Sequence, residues 1–346
     1  MSLTHNEIMG TAEALRQTSA YIEERWESVT RFLSERKCFV FLGSGSSFSL
    51  ARSLSAMTFM HTGLPCCAVS AGDLLLHTPR YAKILNNASV ICISRSGQTS
   101  EMNMALDAVK PYCDSFAALV CAADTPLEAH CGLTLRMPWA FDNSVCQTRT
   151  VTNFYFAGAL ILAKQLGDRT LIEDLTHITD NCSGFLERAA KPAYDIASRP
   201  WTHCVVLADA ELEGIADEGA LAFKEICQLP SNYYHILDSR HGPMVLFNER
   251  TLLLAALGGK DPLELDYLAD MRGKGSLITA FSDMPIEMQG IESISYGRRL
   301  SHIALGLPFI MLCQLISFHK AAHTGADPDR PSGLSSWISL SKESDV

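Results

Sequence analysis

Positive charge is scarce in this sequence. Its 346 residues hold 28 Lys and Arg against 38 Asp and Glu, a formal net charge of −10 with 11 His neutral. Such a balance disfavours a broad surface that neutralises nucleic-acid phosphates or anionic lipid, so no nucleic acid and no membrane is expected as a partner. Any anion it binds must be small and held locally. Charged residues of both signs make up only 19% of the chain while 47% are hydrophobic, which excludes disorder except at the ends. Long apolar runs are also missing. The most apolar segment, Ile303 to Phe318, is 16 residues long and interrupted by Pro308 and Gln314. That is short of the ~18 to 20 residues a bilayer span needs, and it reads as a buried or interfacial helix. The opening MSLTHNEIMG has neither the basic start nor the apolar core of a secretory signal. No Cys-x-x-Cys pair occurs among the 12 cysteines, which read as buried thiols of a reducing compartment, with Cys66 and Cys67 adjacent. A cytoplasmic location is expected.

What is present is a repeating grammar of strand, polar turn and helix. Cys38 to Leu42 has the apolar run of a buried strand; Gly43-Ser44-Gly45-Ser46-Ser47 follows at once, then a helical stretch from Phe48 to His61. Ala88 to Ile93, the turn Ser94-Arg95-Ser96-Gly97-Gln98-Thr99 and the helix Ser100 to Lys110 repeat the unit. A third strand is expected over Phe116 to Ala122, an apolar helix over Thr150 to Leu166 and a polar one over Arg169 to Lys191. The grammar restarts with a strand over Cys204 to Leu207, a helix over Glu213 to Cys227 and a strand over Thr251 to Leu257. This alternation predicts an α/β fold with parallel sheets covered on both faces. At ~100 to 200 residues per domain the length predicts about two domains. The restart places a boundary near 190, at Lys191-Pro192 or around Pro200, between two similar halves.

The two Ser-rich turns carry the chemistry of the first half. Each sits where a strand hands over to a helix, so free amides of the first helical turn and several hydroxyls converge on a volume suited to a phosphate. A Walker loop is excluded by the missing Gly-Lys-Ser/Thr, and the dinucleotide fingerprint by Phe48 where a third Gly would stand. His319 and His323 are four apart on a predicted helix but have no acidic or thiol partner nearby, so they read as a polar helix face. Neither a metal nor another cofactor is expected. In the second half, Leu212, Ile215, Ala216, Phe223 and Ile226 form an apolar stripe, flanked by Glu218 and Glu225. Such carboxylates either have raised pKa values and act as general acid and base, or are solvated or paired with cations such as Lys224. His241, in the loop Asp238-Ser239-Arg240-His241-Gly242-Pro243, is either an acid/base group or an ordinary surface His.

These motifs, with Glu218-Gly219-Ala220-Leu221 to Lys224-Glu225, Arg240 to Pro243, and the tail Gly325 to Leu334 with its Asp-x-Asp-x-Pro pattern, resemble the sugar isomerase (SIS) domain family. The resemblance is to its double-domain members, which include the isomerase domain of glucosamine-6-phosphate synthase and the amino-sugar and fructosamine phosphate deaminases and deglycases. It implies two tandem, flavodoxin-like SIS domains, 1–190 and 191–346, with helices on both faces of each parallel sheet. By the same resemblance Ser46, Ser47, Ser94, Arg95, Ser96 and Thr99 hold a sugar phosphate, and Val145 and Gln147 lie in a third substrate loop. Glu225 matches the base that moves a proton between sugar carbons 1 and 2. His241 matches the ring-opening His that reaches the neighbouring subunit's site, which implies at least a homodimer with shared active sites. The second half's counterpart of the first turn, Ala208-Asp209-Ala210-Glu211, carries carboxylates that would repel phosphate, so one phosphate site per chain is expected.

Departures from the synthase pattern narrow the reaction. Ala222 and Ser336 stand where that pattern has lysines, and neither a glutamine-hydrolysing domain nor an N-terminal Cys nucleophile is expected. Glu218 and Ser336 are kept as possible additional site residues. The expectation is an enzyme that isomerises, deaminates or deglycates a ketose or amino-sugar 6-phosphate without glutamine. The alternative is a non-catalytic sugar-phosphate sensor, which the two missing lysines favour and the joint presence of Glu225 and His241 disfavours. A transcription-factor version lacks any basic helix-turn-helix ahead of the SIS pattern.

Overall fold

The computed structural model describes residues 2–258 and 261–340. In its first half, five strands, β1 (Phe39–Gly43), β2 (Cys66–Ser70), β3 (Ser89–Ser94), β4 (Phe116–Val120) and β5 (Leu133–Arg136), form a parallel sheet in the order β2-β1-β3-β4-β5. The second half repeats this with β6 (His203–Leu207), β7 (Ser231–Tyr234), β8 (Thr251–Ala256), β9 (Leu277–Ser282) and β10 (Glu292–Ser295). Their order, read from β7, is β7-β6-β8-β9-β10, so each half places its first strand second from one edge. The helices are α1 (Leu3–Met9), α2 (Thr11–Glu24), α3 (Trp26–Ser34), α4 (Ser46–Thr62), α5 (Ala71–Leu85), α6 (Ser100–Val109), α7 (Arg149–Leu166), α8 (Arg169–Ala197), α9 (Glu213–Ile226), α10 (Pro262–Gly273) and α11 (His302–Thr324).

Strand alternation explains the layers. Phe39 and Phe41 of β1 belong to one core, while Val40 and Leu42 face another. In β6, Cys204 and Val206 join the same core as Phe39, and Val205 and Leu207 face a third. One hydrophobic core therefore runs between the two sheets, and smaller ones lie beneath α5 and α6 on one outer face and α10 on the other. The central core takes in α11, which by length and composition is long and apolar enough to cross a membrane and is mostly buried inside the protein. Its companion α8 runs 29 residues to Ala197 and contains Pro192, so the division expected at 190/191 falls inside a helix. Buried Ala189, Ala193, Ile196 and Ala197 carry α8 past the proline, and Pro200 separates it from β6. The halves also meet through α4 and α9, where the Ile215 amide donates to Ser53 Oγ at 2.8 Å and Ser49 Oγ donates to Asp217 at 2.7 Å.

Candidate active site

The two Ser-rich turns follow β1 and β3, which are hydrogen-bonded neighbours, so both open at the same end of the sheet. This is where strand order reverses direction, the usual crevice of an open α/β sheet. Helix α4 begins at Ser46, earlier than the expected Phe48, and its first turn lies against the end of β1. Gly43 is required there, because a Cβ would come within 2.2 Å of the Ser47 carbonyl oxygen. In the second turn Gly97 has φ +63° and lies against Thr125, so that no side chain fits. The Ser94 and Ser96 hydroxyl oxygens accept from the Gly97 and Gln98 amides at 3.0 and 3.2 Å, which fixes both side chains and leaves each O–H free to donate.

These turns wall a cleft of about 150 Å³ that brings together most of the expected residues. Ser46, Ser47, Ser94, Arg95, Ser96, Thr99, Val145, Gln147, Glu225 and Ser336 all line it. Glu218 does not line it but is buried on α9 (Glu213–Ile226), within hydrogen-bonding reach of the lining residue Ser46. His241 is not among the lining residues. It follows the short turn Asp238–Arg240 on a loop that buries part of Met244 but leaves Val245 and Leu246 78% and 64% exposed.

Arg95 is buried, but its guanidinium is committed to backbone. It donates to the carbonyls of Ser144 (3.0 Å), Val145 (3.1 Å) and Ser336 (2.8 Å), and more weakly to that of Asp142 at 3.5 Å. It thereby ties the third loop and the C-terminal tail to the mouth of the cleft. Donors that the lining offers include the hydroxyls and the amides of the α4 and α6 first turns, with the Gln147 carboxamide and the Trp337 indole also on the wall.

The carboxyls sit in a setting that favours their neutral forms. Burial pushes Glu218 well above the usual carboxylate range, reinforced by the charge of Glu225, and its Oε2 has no hydrogen-bond partner among the described residues. Burial also raises Glu225, and Cys146, Arg95 and Lys224 partly oppose this. A carboxylate of raised pKa that lines a polar cleft is equipped to accept a proton from a carbon acid. Ala222, between the two on the same helix, supplies no cation.

Several lining residues were not expected from the sequence: Met102 and the tail residues Ser335, Trp337 and Ile338. The tail arrives by chain return, with the Ser100 amide donating to the Ile338 carbonyl and the Leu340 amide to Ser100 Oγ. No periodicity announces such a contact. Cys146 is a further case, buried between Val145 and Gln147 and within hydrogen-bonding reach of Glu225. Its place between two expected loop residues was the available signal.

In the second half the segment after β6 is occupied by the protein's own pairs. Glu211 is buried and bridges His61 Nε2 and His302 Nδ1, both at 2.7 Å. Asp209 meets His235 at 3.0 Å. Among the described residues no group of three or more His, Cys, Asp or Glu is placed to hold a metal; His319 meets the Tyr194 ring edge-on and His323 meets it at a tilt. All twelve cysteines are free.

Comparison with known proteins follows the same outline. The family model described as SIS domain matches residues 32–164, and this covers the first sheet only. Over 306 residues the chain is 26% identical to D-galactosamine-6-phosphate deaminase AgaS of Shewanella sp. (strain ANA-3), covering 84% of this chain and 77% of that protein. It is 22% identical to the isomerizing glutamine–fructose-6-phosphate aminotransferase of Shewanella oneidensis, covering 91% of this chain but 53% of the relative, so the chain spans about half the length of that protein. Among solved structures, tagatose-6-phosphate ketose/aldose isomerase from Escherichia coli superposes with a TM-score of 0.85 at 21% identity, covering 97% of this chain and 98% of that one. That likeness is one of fold.

Proposed function

We propose that the protein is a sugar-phosphate isomerase or deaminase of the SIS type, with a second SIS domain formed by the β6 to β10 sheet. The observation that carries this reading is that Glu225 opens into the same cleft as both hydroxyl-bearing turns. A phosphate held by Ser46, Ser47, Ser94, Ser96 and Thr99 and the helix amides would anchor one end of an open-chain sugar, leaving carbons 1 and 2 to reach Glu225. For an amino-sugar 6-phosphate, Glu225 takes the proton from carbon 2 of the aldehyde form and returns it at carbon 1. Water then hydrolyses the carbon 2 imine to a ketone with loss of ammonia. For a plain sugar phosphate the same proton transfer exchanges aldose and ketose, and a fructosamine 6-phosphate would lose its amine through the enolamine. Similarity to a galactosamine-6-phosphate deaminase and to the fold of a ketose/aldose isomerase supports this range.

His241 is proposed to open the sugar ring in the partner subunit's cleft, in a homodimer sealed in part by Val245 and Leu246. Lacking the lysines at 222 and 336, the chain is proposed to work in the degradative direction, in the cytoplasm, without glutamine. The test is incubation with fructosamine, glucosamine and galactosamine 6-phosphates and with fructoselysine 6-phosphate, following amine release and aldose–ketose conversion. Turnover of one of them is expected. Tight binding of a member with no turnover of any would leave the sensor reading in its place.

A further inference from the structure

Helix α1 lies outside the cleft, yet its Glu7 is 4% exposed and turned toward the third loop. Its Oε1 accepts from the amides of Asn143 (2.5 Å) and Ser144 (3.1 Å), and its Oε2 accepts from the Ser144 hydroxyl. Three donors of one loop thus converge on one carboxylate. The loop they hold is the one whose next residues are Val145, Cys146 and Gln147: two line the cleft and one is within reach of Glu225. The helix is itself anchored. Asp329 of the tail accepts from the Leu3 and Thr4 amides, each at 2.8 Å, and its own carbonyl accepts from the Val145 amide at 3.1 Å. Arg95 grips the same loop from inside through the Ser144 and Val145 carbonyls.

We propose that Glu7 is a positioning residue of the active site: it fixes the 143–147 loop, and through Cys146 the carboxyl of Glu225. The geometry supplies the reason. A loop walls a reacting cleft usefully only if its backbone is held to within fractions of an ångström, and hydrogen bonds from a buried carboxylate to backbone amides are among the stronger ways to hold it. Its effect on rate rests on the proposed function; its effect on the loop does not. Because Glu7 touches neither 44–47 nor 94–99, anion binding should be spared.

The experiment compares wild type with Glu7→Ala, Glu7→Gln and Ser144→Ala by amide hydrogen exchange, inorganic phosphate affinity and turnover of whichever sugar phosphate is productive. In Glu7→Ala, exchange over 142–148 should rise tenfold or more and kcat should fall tenfold or more, with phosphate affinity unchanged within twofold. Glu7→Gln should recover most of both losses, since its amide oxygen still accepts from the two backbone amides. Ser144→Ala should show a smaller loss of the same kind, and it decides the matter if Glu7→Ala does not fold. The inference is overturned if the loop stays protected, if the loop loosens while kcat holds, or if phosphate affinity falls in parallel with kcat, as general destabilisation would cause. Should wild type turn over no sugar phosphate, the functional reading fails. The positioning of the loop is then judged by whether galactosamine 6-phosphate protects 142–148 in wild type and not in Glu7→Ala.

Discussion

Arg95 gives its guanidinium to four carbonyl oxygens, so the proposed anion recognition falls to the neutral donors around it. Each hydroxyl is worth about 0.5 to 1.5 kcal/mol, which is about twofold to tenfold in affinity. Ser96→Ala, Ser47→Ala and Thr99→Ala should each weaken a sugar 6-phosphate by that amount in calorimetry. Unchanged affinity in all three would remove these turns from phosphate recognition. The hydroxyl turns were legible in the sequence because their chemistry is local: Gly for close backbone approach and Ser at a strand-to-helix junction. The backbone duty of Arg95 was not, because its partners lie about 50 residues away in the third loop and 241 away in the tail. Glu7 was invisible for the same reason: its partners are 136 and 137 residues off.

Helix α7 begins against a buried acid. Asp142 Oδ2 accepts from the Thr148 and Thr150 amides at 2.8 and 2.9 Å, while its Oδ1 has no hydrogen-bond partner among the described residues. Burial, with the charge of Glu7 beside it, raises Asp142 from 3.8 to about 6. A carboxyl whose folded pKa is raised contributes stability that is complete below its unfolded value and is lost as pH rises through the folded one. Asp142→Asn keeps an acceptor for both amides and cannot ionise. Its stability relative to wild type should therefore grow between pH 4 and pH 7, by about 1 to 3 kcal/mol in denaturant unfolding. A difference that is flat with pH would show that Asp142 is not neutralised by burial. Elements with strong apolar patterns, such as β1, β3, β8, α7 and α9, were readable from the sequence. The edge strands β2 (Cys-Cys-Ala-Val-Ser) and β7 (Ser-Asn-Tyr-Tyr) were not, because an edge strand is half covered and lacks a continuous apolar run. Helix α5 was hidden by Pro79 and a kink at His77.

At the scale of the whole molecule, the two sheets share one core and are joined by polar clamps, among them Glu211, itself buried, between His61 and His302. Burial pushes the Glu211 carboxyl up, and the two imidazoles more than offset this, holding it at about 2. The position that corresponds to the first hydroxyl-bearing turn of the first half is thus filled by the protein's own carboxylate–imidazole hydrogen bonds, which supports one cleft per chain. That cleft contains no His241, and the loop that carries it exposes Val245 and Leu246. If His241 serves the partner's cleft, mixing the inactive variants Glu225→Gln and His241→Asn under conditions of subunit exchange should restore part of the activity, because some heterodimers regain one intact site. No recovery despite demonstrated exchange would confine catalysis to a single chain.

The account turns on Glu225 as the base. The most direct measurement is solvent deuterium incorporation at carbons 1 and 2 of the productive sugar phosphate, followed by NMR in wild type and Glu225→Gln. Removing a general base costs about 10² to 10⁴ in rate, while the hydroxyl-bearing turns proposed to hold phosphate remain. Wild type should incorporate deuterium, and Glu225→Gln should bind within a few-fold of it and lose that exchange. Undiminished exchange in Glu225→Gln would contradict the account.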